Sequence, residues 1–223
     1  MLFKQGDGDQ NDFAPPLTVS FPKLPRQIQA WLRKTQRDPF SFRSFSAPRA
    51  RGRLSEPAAN FVFGEVSKRG DIQTELIDIR KIPLAVDDAG EALKDSRFSA
   101  VVARADGLIL VVPEYNHSFP GLLKHVLDTN LKEYIHKAVG VCGVSAGPFG
   151  GARMIQSLVP VLRELGLVTI FSDVYFGTAG RLFDPGSGKI TDPAYAGRVD
   201  KFLNELVWMS RALRHARENI PVP

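Results

Sequence analysis

Along the chain, stretches whose apolar residues recur at helical spacing alternate with short runs that are apolar throughout. Between Glu56 and Lys68, Ala59, Phe63 and Val66 fall on one helical face, Ser55 stands where an N-cap would, and Gly70 marks a stop, so a helix is predicted. Thr74 to Ile79 reads as a strand, and beyond a loop at Pro83 the segment Glu91 to Arg104 reads as a helix. Gly107-Leu-Ile-Leu-Val-Val-Pro has the length and continuity of a strand buried on both faces, and Pro113 ends it. Pro120 suits the first turn of a helix running to Asp128. Ala138 to Ser145 is a second buried strand, Gly151 to Leu165 a helix, and Leu167 to Ser172 a third apolar strand. A last helix, Pro193 to Arg214, carries Val199, Phe202, Leu203, Leu206 and Leu213 on one face.

Strands alternating with helices of this length predict an α/β fold, a doubly wound parallel sheet with helices on both faces. Ligands of such sheets bind outside the carboxyl ends of the strands, where strand order reverses. Two loops therefore matter most: Pro113-Glu-Tyr-Asn-His-Ser-Phe-Pro-Gly and Ser145-Ala-Gly-Pro-Phe-Gly-Gly-Ala-Arg, which should share one edge of the sheet.

The first 50 residues have another texture. Pro15, Pro16, Pro22, Pro25, Pro39 and Pro48 interrupt every periodic stretch except Gln27 to Lys34, which has room for about two helical turns. Residues 1–50 are expected to be an irregular or disordered Pro/Arg-rich segment, or an aberrant one arising from an altered reading frame or a misassigned start, ahead of a domain over 51–223. If the segment is genuine, the aromatics at Phe40, Phe42 and Phe45 nearly match a two-residue period and supply a central strand.

Charge and composition narrow the function classes. The chain has 223 residues and a net charge of +5, but residues 1–50 hold eight basic and four acidic residues, leaving 21 basic and 20 acidic residues elsewhere. With no basic stripe interleaved with aromatics, nucleic acid is excluded as a partner of the main domain. No run is apolar for about 18 residues and no secretory leader is evident, so a cytoplasmic protein without a membrane partner is expected. Cys142, the one cysteine, lies among apolar neighbours and is read as a packed strand residue. No His, Cys or carboxylate cluster has metal-ligand spacing.

The second loop places Gly147, Gly150 and Gly151 before a helix, which lets backbone donors approach a flat or anionic group. No Lys-Ser or Lys-Thr follows these glycines, and the GxGxxG pattern is missing, so neither a Walker A loop nor a Rossmann dinucleotide site is read here. Taken together, Pro113, Glu114, Tyr115, Asn116, Ser118, Pro120, Gly121, Leu123 and Lys124 with Ser145, Gly147, Gly150 and Gly151 resemble the paired motifs of the NADPH-dependent FMN reductase family. The resemblance runs from about Gly52 to Arg214 and implies a flavodoxin-like fold that binds FMN.

By that resemblance, Pro113, Glu114, Tyr115 and Asn116 wrap the flavin ring, and Ser145, Gly147, Gly150 and Gly151 border its polar edge. A planar, partly polar ring needs close backbone and few bulky side chains, and backbone donors at its polar edge stabilise the charge gained on reduction. Glu114 is otherwise a solvated loop carboxylate, and Tyr115 and Asn116 are otherwise turn formers. His117 and His125 are read as surface or packing residues, not proton donors. The family's phosphate loop survives in its second half, Arg51-Gly-Arg-Leu-Ser-Glu, where Arg53 and Ser55 are the phosphate candidates. Pro48 departs from the pattern near the place of a phosphate-binding hydroxyl, and it lacks the N–H such a loop needs.

The implied activity is hydride transfer from NADPH or NADH through FMN to a quinone, a nitro or azo compound, or free flavin, in a homodimer or homotetramer. A flavin-binding electron carrier or redox sensor, and a degenerate homologue with impaired FMN binding, are the alternatives.

Overall fold

The computed structural model of the chain describes residues 40–46, 54–83 and 94–221. The expected helix at 27–34 and the phosphate candidate Arg53 lie outside these residues.

A parallel sheet organises the described chain. Its strands are β1 (Phe40–Ser46), β2 (Ile72–Asp78), β3 (Gly107–Pro113), β4 (Ala138–Val144), β5 (Val168–Thr169) and β6 (Val174–Phe176). They lie in the order β2-β1-β3-β4-β5, with β6 also pairing with β4. The order reverses between β1 and β3, the switch point at which open α/β sheets bind ligands. The compact unit spans Pro39–Pro223, so β1 lies inside it, upstream of the change in sequence texture near position 50.

Helices cover both faces, as the continuous apolar strands require. In β3, Ile109 and Val111 face the core formed with α1 (Ser55–Ser67) and α6 (Ala194–Asn219). Leu108, Leu110 and Val112 face the other core, formed with α2 (Ser96–Arg104), α3 (Gly121–Asp128) and α4 (Ala152–Glu164). All seven residues of β3 and all seven of β4 are buried. Each fully buried Leu, Ile or Val contributes about 1.5–3 kcal/mol relative to exposure, so these two strands carry much of the hydrophobic stabilisation. Gly140 lets α6 approach closely, because a Cβ there would stand 2.4 Å from Phe202 Cζ.

Three expected boundaries shift for identifiable reasons. Helix α2 begins at Ser96, where the Asp95 side chain caps it by accepting from Phe98 N–H at 2.6 Å; the expected start at Glu91 lies outside the described residues. Ser55 is the first helical residue of α1, with Leu54 in the capping position and no side-chain cap hydrogen bond there. The strand expected at Leu167 to Ser172 is cut back to β5. Just beyond it, the Glu205 carboxylate accepts the Phe171 N–H at 2.6 Å, the Ser172 N–H at 3.1 Å and the Ser172 hydroxyl, diverting donors that a strand would give to its neighbour. Strand β6 and the short helix α5 (Ala179–Leu182) are elements that the sequence pattern did not predict.

At the amino end of the sheet, Lys137 is buried and donates to the Val102 and Ala103 carbonyls at 2.6 and 2.7 Å, closing the last turn of α2. Burial, reinforced by repulsion from Arg217, pulls its pKa down to about 8. The unfolded chain therefore holds a proton that the folded lysine has released once pH rises past about 8, up to the usual lysine value of about 10.4. Stability should accordingly climb over that window relative to Lys137→Met, by an amount on the order of 3 kcal/mol. Urea unfolding of both proteins from pH 7 to 10.5 measures it, and parallel pH profiles would contradict the assignment.

Candidate functional site

The parallel register that sets Pro113 opposite Val144 makes the two loops leave the sheet side by side. The Glu114 N–H donates to the Val144 carbonyl at 2.8 Å, extending the ladder one step before the chains diverge. Tyr115 and Ser118 then exchange two backbone hydrogen bonds, 2.8 and 2.9 Å. Between them Asn116 and His117 both have positive φ, 49° and 66°, as in a two-residue type I′ turn. The first loop is thus a small hairpin whose tip is exposed, with Tyr115 44% accessible.

In the second loop, the Ser145 hydroxyl donates to the Gly147 carbonyl at 2.8 Å, and the Thr178 N–H donates to the same oxygen at 2.7 Å. The Ser145 N–H donates to Phe176 O and the Ser145 carbonyl accepts from Ala179 N–H, each at 3.1 Å. Gly150 and Gly151 have φ of 61° and 87°, and Gly151 caps α4. A Cβ on Gly151 would lie 2.8 Å from Gly143 Cα, and one on Gly143 would lie 2.4 Å from Gly150 O. These glycines are required by the chain's own packing. Gly147 differs, since a Cβ there would meet no protein atom within 4 Å. Among the described residues, the N–H groups of Ala146 and Gly147 donate to no carbonyl.

The loops are joined by Arg153, in the first turn of α4. Its guanidinium donates to Glu114 Oε1 through Nε at 2.8 Å and Nη2 at 2.5 Å, meets His117 Nε2 through Nη1 at 2.8 Å, and lies 4.9 Å over the Phe149 ring. The Glu114 side chain is only 5% exposed, and its Oε2 is buried with no hydrogen-bond partner among the described residues. Glu114 is therefore a buried member of an ion pair and not a solvated carboxylate.

Pro113, Glu114, Tyr115, Asn116, Ser145, Gly147, Gly150 and Gly151 come together at this edge. Ser55 is buried at the start of α1. A Cβ on Gly180 would stand 3.6 Å from the neighbouring Leu54 side chain, and Gly180 belongs to α5, whose first residue bonds to Ser145. The start of α1 is thereby linked to the second loop. His125 lies in the last turn of α3. Cys142 is fully buried in β4, and burial pushes its thiol well above the usual range. On the far side of Gly150, the Tyr175 hydroxyl donates to Asp173 at 3.0 Å, and burial together with the nearby Glu205 charge raises the Asp173 pKa. A cavity of about 640 Å³ lies elsewhere, along β2, α1 and α2, and no residue of either loop lines it.

Sequence reasoning did not single out Arg153 or Phe149, and His117, read there as a surface or packing residue, is exposed and meets Arg153. The signal available was the opposite charge of Glu114 and Arg153 on two loops already expected at one edge.

Residues 45–181 match the NADPH-dependent FMN reductase family. The chain belongs to that family. Among its relatives, a quinone reductase from Pseudomonas putida is 32% identical over 140 residues, covering 57% of this chain and 75% of the relative. An NAD(P)H-dependent FMN reductase from Pseudomonas aeruginosa is 31% identical over 148 residues, covering 63% and 80%. The flavoenzyme NAD(P)H:(acceptor) oxidoreductase FerB from Paracoccus denitrificans superposes with a TM-score of 0.61 at 22% identity, over 77% of this chain and 99% of FerB, a likeness of fold. The expected flavodoxin-like architecture, the family and the oxidoreductase class are all borne out, with FMN and NAD(P)H as the family's cofactor and electron donor.

The placement of the second loop against β4 depends on Gly151. Gly151→Ala forces a left-handed φ on a residue with a side chain and a clash with Gly143, so it should cost more than about 1–2 kcal/mol of stability. The denaturation midpoint measures this, and an unshifted midpoint would show that the loop packs differently.

Proposed function

We propose that this FMN reductase takes a hydride from NADPH or NADH and delivers it, by way of FMN between the two loops, to a small-molecule acceptor such as a quinone, a nitro or azo compound, or free flavin. The observation that carries this reading is the pairing of the hairpin at Pro113–Asn116 with the Gly-rich loop at Ser145–Gly151 on adjacent strands, at the edge where strand order reverses. FMN, when bound, supplies the hydride-carrying chemistry that no side chain here provides.

The chain's own residues fit that group. Gly147 keeps its Cβ position clear of protein, and the uncommitted N–H groups of Ala146 and Gly147 suit carbonyl oxygens on a polar ring edge. Tyr115 offers a half-exposed ring, and the backbone from Pro113 to Asn116 offers the opposite wall. Ser55, at the start of α1, and Arg53 are assigned to the phosphate end, where a helix N-terminus and a guanidinium both favour an anion. His117 Nε2 accepts from Arg153 and has no proton to give at that nitrogen, in keeping with a site that needs no strong acid of its own. The same reading takes the protein as a homodimer or homotetramer in which a second subunit covers the exposed ring face. Exposed Phe149 and Tyr175 beside the Gly-rich loop support that.

Titration of the purified full chain with FMN should quench flavin fluorescence, and the yellow complex should bleach on anaerobic addition of NADPH. Absence of quenching would overturn the reading, whereas quenching without bleaching would make the protein a carrier. Gly147→Ala separates site from scaffold. It should leave the melting temperature of the FMN-free protein unchanged while raising the FMN dissociation constant about tenfold or more, a loss of roughly 1.4 kcal/mol. Unchanged affinity would remove Gly147 from the site.

A further inference from the structure

Arg153 contacts residues that no packing rule would bring together: a buried carboxylate, an exposed imidazole and an exposed ring, drawn from both loops. We propose that Arg153 is a positioning residue of the flavin site, whose guanidinium fixes the width of the crevice between the two loops before any ligand arrives. The proposal rests on the FMN-binding reading given above.

The choice of residue at the hairpin tip supports it. Glycine is the preferred second central residue of a type I′ turn after Asn, yet position 117 holds His at φ 66°. Histidine tolerates the left-handed region better than most residues but remains disfavoured there beside glycine. What His adds is a ring nitrogen that reaches Arg153 at 2.8 Å. A guanidinium has donors only, so Nε2 accepts and the ring proton lies on Nδ1. Among the described residues, Arg153 is the hydrogen-bond partner of His117.

Two further ties between the first loop and its neighbours lie at its ends. Glu114 N–H bonds Val144 O at 2.8 Å, and the Ser118 and Ser157 hydroxyls lie 3.1 Å apart. Arg153 adds the tie at the tip. It is itself held from both sides, by Oε1 of a Glu114 whose other oxygen is buried without a partner, and by the Phe149 ring beneath it. The cation is thus oriented by Glu114 of the first loop and Phe149 of the second, and through it the tip of the hairpin is oriented as well. Preorganised walls reduce what a ligand must spend on ordering them.

Removing Arg153 alone would leave the Glu114 charge uncompensated, so Arg153→Met confounds stability with position. Two other variants separate them. Glu114→Gln combined with Arg153→Met removes the buried charge together with its partner, and His117→Gly converts the turn to Asn-Gly while deleting only the Arg153 contact. Both should melt within about 3 °C of the wild type without FMN, yet both should bind FMN about tenfold or more weakly in fluorescence quenching. In the FMN-free double variant, the Tyr115 and Ser118 amides should exchange hydrogen about tenfold faster than in the wild type. Affinities within about threefold of the wild type in both variants, or unchanged exchange at these amides, would overturn the proposal and leave Arg153 a partner for Glu114's charge only. If the wild type itself fails to quench FMN while exchange still rises in the double variant, the flavin reading falls and the loop-spacing role stands.

Discussion

The parallel pairing of β3 with β4 is the constraint on which the rest of the site depends. Seven residues match seven in continuous register, from Gly107 opposite Ala138 to Pro113 opposite Val144, and every one of them is buried. Successive side chains of each strand enter different cores, so a slip of one residue would exchange the two sets and place wrong volumes in both. The register is therefore locked by packing on two faces. Because it is locked, Glu114 and Ser145 begin their loops at the same height, and the geometry of the paired loops follows.

Close approach of backbone follows from that pairing. Gly143 on β4 and Gly150-Gly151 after it pack against one another at distances no side chain permits, which turns the chain back over the strand and starts α4 beside the first loop. This brings Arg153 within reach of Glu114 and His117. A carboxylate with one oxygen buried and unpartnered is tolerable only with its counter-charge in place, so the ion pair and the loop spacing are not independent features. Backbone geometry, buried charge and the shape of the crevice form one chain of cause.

Farther from the site, polar side chains decide where elements stop. Asp95 starts α2 by taking an N–H of its first turn. Lys137 ends the same helix by donating to two of its last carbonyls. Glu205, on α6, takes donors from Phe171 and Ser172 and ends the expected strand at β5. At its carboxyl end α6 runs to Asn219, past the expected Arg214, because Arg214 and Arg217 both reach Asp106 and Arg217 also donates to the His136 carbonyl at 2.6 Å. Each of these contacts joins residues far apart in sequence or depends on a local side-chain conformation, which a pattern of apolar spacing does not encode.

The sequence by itself determined the parallel α/β architecture, since the runs at Gly107 and Ala138 are too continuously apolar to face water and helices must cover both sides. It also determined that the two loops after these strands lie together, because the order of elements puts both at the carboxyl edge. The strand at Phe40–Ser46 was legible only as the alternative to an irregular segment, from aromatics that nearly match a two-residue period. What only the tertiary structure decided was the role of side chains within those loops. Glu114, legible either as a flavin contact or as a solvated carboxylate, became a buried ion-pair partner, and Asn116 the first central residue of a tight turn. Arg153 and His117 gained a place at the site through a contact between positions 36 residues apart. Local patterns fix which face of an element is apolar, but a contact across two loops exists only after the strands beneath them have paired.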